Sequence, residues 1–473
     1  MDRRRFLHTG LWAAGTALAT RLPLTGSAPA AENAAPAPTA GPLRTHPENR
    51  RYFADATGRA VYLTGSHTWP NVVDHGPSDP PPKFDFDAYL GFLARYGHNF
   101  TRLWTWELTS WDTKGAGESK RHTAQPHPFA RTGPGEALDG KPKFDLSRFD
   151  PAYFDRLRSR VEAAGRRGIY ASVMLFEGWG LQFVADAWKR HPFHPDNNVS
   201  GIGSDVVQGV DIHTLKHPKI VAVHEAYARK VVDTLSDLDN VLYEISNENH
   251  PPSTQWQYHI IRLLKDYERT KAKQHPVGMT FQYKGGSNKT LFDSPADWIS
   301  PNPEDGYRDD PPAADGRKVI LNDTDHLWGL GGNSPWVWKS FLRGLNPIFM
   351  DPYDGVVLGA KFDSKYEPVR KALGVTLRVA RDLNLAAMAP RSELASGRYC
   401  LAGQSQRGME YVVYVPRGEE ASVDLADAKG KLTVEWLDPV SGTTTSRGEA
   451  DAGGKRTFAS PNPADTVLRL ACT

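Results

Sequence analysis

The feature that most constrains this chain is an alternation. Short, continuously apolar runs recur from residue 60 to residue 352, and segments with helical spacing separate most of them. The runs are AVYLTG (60–65), NFTRLW (99–104), IYASVMLFE (169–177), NVLYEIS (240–246), VGMTFQ (277–282), DWIS (297–300), KVILND (318–323) and PIFMDP (347–352). A run without polar alternation is buried on both faces, as strands of a parallel sheet are. Helical spacing appears at 84–97, 150–168, 218–238, 254–272, 334–345 and 365–385. The second of these has Asp150 as a cap, Pro151 at the first helical position and Gly168 beyond the end, the expected punctuation of a helix. Eight such strands predict an α/β chain, a (β/α)8 TIM barrel with insertions over residues 44–389. The rival, a doubly wound sheet, would carry a Gly-rich phosphate turn. No G-x-G-x-x-G follows any run, and there is neither a P-loop nor a G-x-S-x-G turn.

The two ends read differently. From about residue 390 the chain changes to short period-two runs (RYCLAG, EYVVYVP, ASVDLA, LTVEWLD, TVLRLAC) broken by Gly, Pro and Ser. These predict a small antiparallel β-sandwich over 390–473. At the start, RRRFL (3–7) precedes the apolar TGLWAAGTALA and then Ala28-Pro29-Ala30. Residues 1–30 are therefore expected to be an export leader of the twin-arginine kind, with a periplasmic or extracellular mature protein. Residues 31–43, rich in Ala and Pro, are expected to be a linker. The leader holds four arginines and one aspartate, so the rest of the chain has a formal charge of −1 against +2 for the whole. A near-neutral chain offers no electrostatic reason for a nucleic-acid or membrane-surface partner, and no later apolar run is long enough to span a bilayer. Cys400 and Cys472 are the only cysteines; export would permit a disulfide, but spacing does not say whether they pair.

In such a barrel the strands deliver functional groups at their C-terminal ends. Strand one ends in His67 and Trp69. Strand two brings Arg102, Trp104, Trp106 and Glu107; strand three brings Glu177 and Trp179. Strand four brings Asn247 and Glu248, strand five Tyr283, and strand eight Asp351. Strand seven brings Asp323, Asp325 and His326, with Trp328 after them. Carboxylates, aromatic faces and one Arg gathered at a rim suit glycoside cleavage. One carboxylic acid protonates the leaving oxygen, and a second carboxylate attacks the anomeric carbon or activates water. His191, His194, His213 and His217 lie in a loop region without Cys or a helical H-x-x-x-H pair. They are expected to be surface or substrate-loop residues, and neither metal nor cofactor is required. Segment 111–146 is expected to be a long inserted loop at the active rim.

Asn247-Glu248 at the end of an apolar strand resembles the acid/base signature of the large (β/α)8 glycoside hydrolase clan that includes the cellulases. The resemblance implies that Glu248 is the acid/base, that Asn247 holds the sugar's 2-hydroxyl, and that Arg102 lies beside the nucleophile. The clan closes strand seven with Glu, whereas this chain has NDTD. Counting forward from Val319 favours Asp323, and counting back from the aromatic segment favours Asp325; both stand as candidates. Asp is shorter than Glu, so the carboxylate separation that decides retention or inversion stays open. VYLTGSHTWP, the Asn247-Glu248 pair and WLDPVSG (436–442) are similar to apiosidase-like glycoside hydrolases with a C-terminal β-domain labelled collagen-binding. That label implies no affinity for collagen; the expected role of the domain is to pack on the barrel. The expectation is a hydrolase of O-glycosidic bonds in a polysaccharide or oligosaccharide, with the sugar and linkage undetermined. The alternative is a non-catalytic carbohydrate- or matrix-binding protein on a degenerate barrel. Whether Glu248 faces an acid from strand seven separates the two.

Overall fold

The computed structural model describes residues 39–113, 120–353 and 363–473. The expected leader and most of the expected linker lie outside them. Leu43, at the linker's end, is already buried among Phe53, Leu63 and Trp298 at the closed end of the barrel.

Eight parallel strands form one sheet. They are β1 (Gly65–His67), β2 (Phe100–Leu103), β3 (Tyr170–Glu177), β4 (Val241–Asn247), β5 (Val277–Thr280), β6 (Trp298–Ser300), β7 (Val319–Asp323) and β8 (Asn346–Met350). From β2 to β8 each pairs with the next in chain order, and β8 pairs with β1 through Phe349 and Ser66. The seam between β1 and β2 is closed by Asn99. Its N–H donates to the Thr64 carbonyl (3.1 Å), and its side-chain oxygen accepts the Thr64 N–H (2.9 Å). Gly65 is required there, because a Cβ would stand 2.2 Å from the Phe100 carbonyl oxygen.

Helices α1 (Phe86–Arg95), α2 (Pro151–Gly165), α3 (Pro218–Leu235), α4 (Thr254–Glu268), α5 (Ser334–Leu342) and α6 (Glu367–Asp382) turn their apolar faces to the sheet. The Asp150 side chain accepts the Ala152 N–H (3.0 Å) and starts α2 as its sequence predicts. Among the described residues no helix is long and apolar enough to cross a membrane.

Two expectations change. The run 60–65 is not one strand: Ala60–Val61 pairs with Phe53–Ala54 in a small antiparallel sheet, and the barrel strand begins only at Gly65. The segment expected as a loop at 111–146 is largely extended. Ser110–Thr113 and Lys120–Gln125 pair with each other, as do Phe129–Glu136 and Pro142–Phe149; residues 114–119 lie outside the description. Its polar, Gly- and Pro-containing strands lack the apolar alternation by which strands are read.

The C-terminal unit has β9 (Met388–Pro390), β10 (Cys400–Ser405), β11 (Gly408–Val415), β12 (Glu420–Asp424), β13 (Lys431–Leu437), β14 (Thr444–Asp451), β15 (Lys455–Ala459) and β16 (Thr466–Cys472). One sheet runs β9-β10-β11-β16-β13-β14, and β12 pairs with β15 to cover it, giving the expected sandwich. Strands β14 and β15 escape sequence reading because most of their side chains are polar and exposed. The unit shares an apolar core with the barrel. Trp338, Phe341 and Leu377 meet Leu401, Val412, Tyr414 and Val467, and the Trp338 indole N–H donates to the Pro439 carbonyl (2.8 Å). The cysteines do not pair. Cys400 faces Val413 on one side of β11, while Ala471, beside Cys472, faces Glu410 on the other. Two strand spacings, roughly 9–10 Å, exceed the reach of a disulfide.

Asp351 ends β8 in a two-pronged ion pair with Arg370 of α6 (2.7 and 2.8 Å), and both are fully buried. It ties helix to barrel from a fully enclosed position. Removing one partner of a buried pair leaves the other charge uncompensated. Asp351→Asn is therefore expected to lower stability by about 3–5 kcal/mol, read from urea unfolding.

Candidate active site

The site is built around a buried cation. Arg102 rises from β2 into the barrel interior, 1% exposed, and all five of its N–H donors are engaged. Two go to Glu244 of β4 (2.9 and 2.6 Å), one to the Asn247 side-chain oxygen (2.7 Å), one to Asp323 (2.8 Å) and one to Asp325 (3.2 Å). Glu244 was not singled out from the sequence. The signal was present, because an acid inside one apolar strand and a base inside another each need a partner once buried.

Asp323 and Asp325 differ sharply in setting. Asp323 is fully enclosed. Its oxygens accept the His67 Nε2–H (3.0 Å), the Asp325 peptide N–H (3.0 Å) and Arg102. Burial raises its carboxyl, but His67 and Arg102 overcome this and hold it well below the usual range. It also caps the one-turn helix Thr324–Leu327, on which Asp325 sits. Asp325 is 8% exposed, and burial raises its proton affinity against the pull of Arg102. Glu248, just beyond β4, is likewise 8% exposed. Burial lifts its carboxyl well above the usual range; the charge of Asp325 lifts it further, while Arg102 opposes. The Glu248 backbone is left-handed (φ +42°), an uncommon conformation for a residue with a side chain. Its carbonyl accepts the Gln182 side-chain N–H (2.7 Å).

His326 donates from Nε2 to the same Asn247 oxygen that Arg102 holds (3.0 Å), while its Nδ1 accepts from Ser300 (2.7 Å). The Asn247 amide is thereby oriented, with its NH2 as the end engaged by neither partner. Asp323, Asp325 and His326 lie close enough to suggest a cation site. The cation among them is the Arg102 guanidinium, and the His326 Nε2 carries a proton.

Glu107 follows β2 and lies next to the end of β3. It accepts the Glu177 peptide N–H (2.8 Å) and the Nε2–H groups of His191 and His213 (3.3 Å each). Burial raises its carboxyl, but the two histidines outweigh this and keep it ionised. His191 and His213, expected as surface or substrate-loop residues, are buried. Glu107, His213 and His224 also group as a metal set would, yet every ring presents N–H. The Nδ1 atoms accept from the Phe193 N–H, the Asn249 amide and the Trp256 indole, which forces the proton onto Nε2. Glu177 is 1% exposed, and both its oxygens accept the Gly180 N–H. Burial, with Glu107 and Asp325 adding, pushes its carboxyl up to about 8, so it is neutral at pH 7.

The aromatics divide. Trp104 and Trp106 are buried, and the Trp104 indole N–H donates to His67 Nδ1 (2.9 Å). They and His67 are enclosed, and Trp104 and His67 pack around the buried ion pairs of the site. Trp69, Trp179 and Trp328 are half-buried and Tyr283 is exposed. Tilted and edge-on ring contacts link Trp69, Trp179, Phe183 and Tyr283 into a ridge at the rim, with ring centroids 4.9–5.7 Å apart.

The architecture is a (β/α)8 barrel followed by a C-terminal β-domain. It is similar to a glycoside hydrolase family 5 structure from Bacteroides vulgatus ATCC 8482, at 14% identity and TM-score 0.62, covering 92% of this chain and 94% of that one. A second structure, named only as a glycoside hydrolase, aligns at 14% identity and TM-score 0.59, over 92% and 97% of the two chains. Identity this low establishes the fold alone. Residues 391–471 match the family model "Putative collagen-binding domain of a collagenase", and residues 124–284 match a domain of unknown function (DUF6298). No curated protein sequence matches the chain.

Glu177 gives a test of the electrostatics. Its folded carboxyl keeps a proton up to about pH 8, whereas unfolded Glu loses it near ~4.3. The bound proton favours the folded state at low pH, and that contribution is lost as pH rises through this window. Glu177→Gln, which cannot ionise, should flatten the decline in unfolding free energy between about pH 4.5 and 8, measured by urea titration at several pH values.

Proposed function

We propose that the chain is an exported glycoside hydrolase that cleaves an O-glycosidic bond of a polysaccharide or oligosaccharide. Glu248 is the acid/base and Asp325 the opposing carboxylate. One observation carries the reading. Glu248 and Asp325 approach solvent from the ends of β4 and β7, with the charge of Asp325 raising the proton affinity of Glu248, while Asp323 is enclosed in an ion pair. Two neighbouring carboxyls in a poorly hydrated site do not ionise together; the one beside the cation takes the charge. Asp325 touches Arg102 and is the anion, and Glu248 keeps its proton.

Glu248 then protonates the leaving oxygen. Where Asp325 attacks the anomeric carbon, the Glu248 carboxylate left behind takes a proton from the water that displaces Asp325, which restores both groups. Where Asp325 instead takes the proton from water, that water displaces the leaving alcohol, and the two carboxyls regain their starting states by proton exchange with solvent. The Asn247 NH2 donates to a sugar hydroxyl, and the Trp179 and Tyr283 rings supply stacking faces. Neither metal nor cofactor is needed for these steps. The two solved structures of similar fold are named as glycoside hydrolases, which supports the reading. The twin-arginine-like leader supports export by that route.

Glu248→Gln is expected to cut turnover by about 10²–10⁴-fold on whichever glycan the wild type cleaves, with binding of that glycan retained. Asp325→Asn should do the same with little loss of stability, whereas Asp323→Asn should destabilise the fold. Turnover should follow a bell in pH. The acid limb, where Asp325 gains a proton, should lie above the ordinary Asp value of about 3.9; the basic limb marks loss of the Glu248 proton. Full turnover by Glu248→Gln would overturn the assignment.

A further inference from the structure

Glu248 holds a left-handed backbone at φ +42°, and something must hold it there. The following residue does much of this. The Asn249 amide donates to Ser246 Oγ (2.9 Å), and its oxygen accepts the His250 N–H (2.9 Å), so the residues on both sides of Glu248 are pinned by one side chain. The same amide donates to His213 Nδ1 (2.9 Å), and His213 Nε2 donates to Glu107 (3.3 Å). Glu107 also holds the Glu177 peptide N–H (2.8 Å). The next residue, Gly178, lies against Asn249 so closely that a Cβ would stand 2.4 Å from its Cγ. Glu107 thus reaches the turn from two directions, through His213 and through the end of β3. His191 also donates to Glu107, but its Nδ1 is spent on the Phe193 N–H and leads away from the turn.

We propose that Glu107 and His213 are positioning residues for Glu248, a buried carboxylate–imidazole–amide chain that sets the left-handed turn from which the Glu248 carboxyl faces Asp325. Its catalytic consequence rests on the reading of Glu248 as acid/base; its structural content does not. The ionised Glu107 fixes the His213 tautomer with the proton on Nε2. Nδ1 is thereby left as an acceptor, and the Asn249 amide is oriented by it.

The test compares truncation and rescue at His213 with truncation at His191. His213→Asn keeps a polar atom near Nδ1, towards Asn249, and His213→Gln keeps one near Nε2, towards Glu107. Crystal structures of the variants report the Glu248 φ directly, without need of a substrate. His213→Ala should take φ out of the left-handed region, while His213→Asn restores it and His213→Gln does not. His191→Ala should leave it unchanged, although it removes the same kind of donor from Glu107. On a glycan that the wild type cleaves, His213→Ala should lower kcat at least tenfold with KM within threefold, and His191→Ala should lower neither. Should His213→Ala not fold, Asn249→Ala breaks the same chain one link nearer the turn and must move φ likewise. An unchanged φ in His213→Ala or Asn249→Ala overturns the proposal, as does an equal effect of His191→Ala. A Glu248→Gln variant with full turnover would instead remove the acid/base reading while leaving the φ measurement to decide the positioning role.

Discussion

Arg102 is the interaction on which the rest depends. A guanidinium enclosed by barrel strands has no water to stabilise it, so its hydrogen-bonding groups must be supplied by protein. Glu244 and Asn247 on β4, and Asp323 and Asp325 at the end of β7, supply them. Satisfying one cation therefore fixes the relation of β2, β4 and β7, and two of these carry the carboxyls that open to solvent. Two carboxylates, Glu244 and Asp323, lie fully enclosed against the cation. The charge beyond them, on Asp325, is left within reach of a ligand.

A gradient of hydration does the rest. From Asp323 outward to Asp325 and Glu248, the carboxyls pass from complete enclosure to slight exposure, and the number of donors at each falls. Proton affinity rises along the same path: well below the usual range at Asp323, above it at Asp325 and well above it at Glu248. Glu177, held by peptide N–H groups and no side-chain cation, belongs with the protonated group. Chemically similar side chains thus take different charge states because of where the strands place them.

Much of the barrel was legible because parallel strands buried on both faces leave continuous apolar runs, as at 169–177 and 240–246, and capped helices such as α2 mark the intervals. The extended segments between Ser110 and Phe149 and the hairpin of β14 and β15 were not, since polar strands on an exposed surface carry no such pattern. At the site, sequence brought Arg102, Asn247, Glu248 and both aspartates to one end. It did not distinguish surface from interior: His67, Trp104, Trp106 and Asp351 stand at strand ends in the sequence yet face inward, because their partners come from distant strands and helices. Asp323 and Asp325 could not be separated by counting, since what separates them is a helical turn that begins at the last residue of β7.

That turn has a consequence of its own. Asp325 is carried by a single coil of chain placed on top of a stave, and the stave itself ends in a buried ionic anchor. Shortening or lengthening the segment after Asp323 would shift the outer carboxylate in or out while leaving every inter-strand pairing of the barrel untouched. The separation between the two outermost carboxyls is then a loop property, open to adjustment without rebuilding the scaffold.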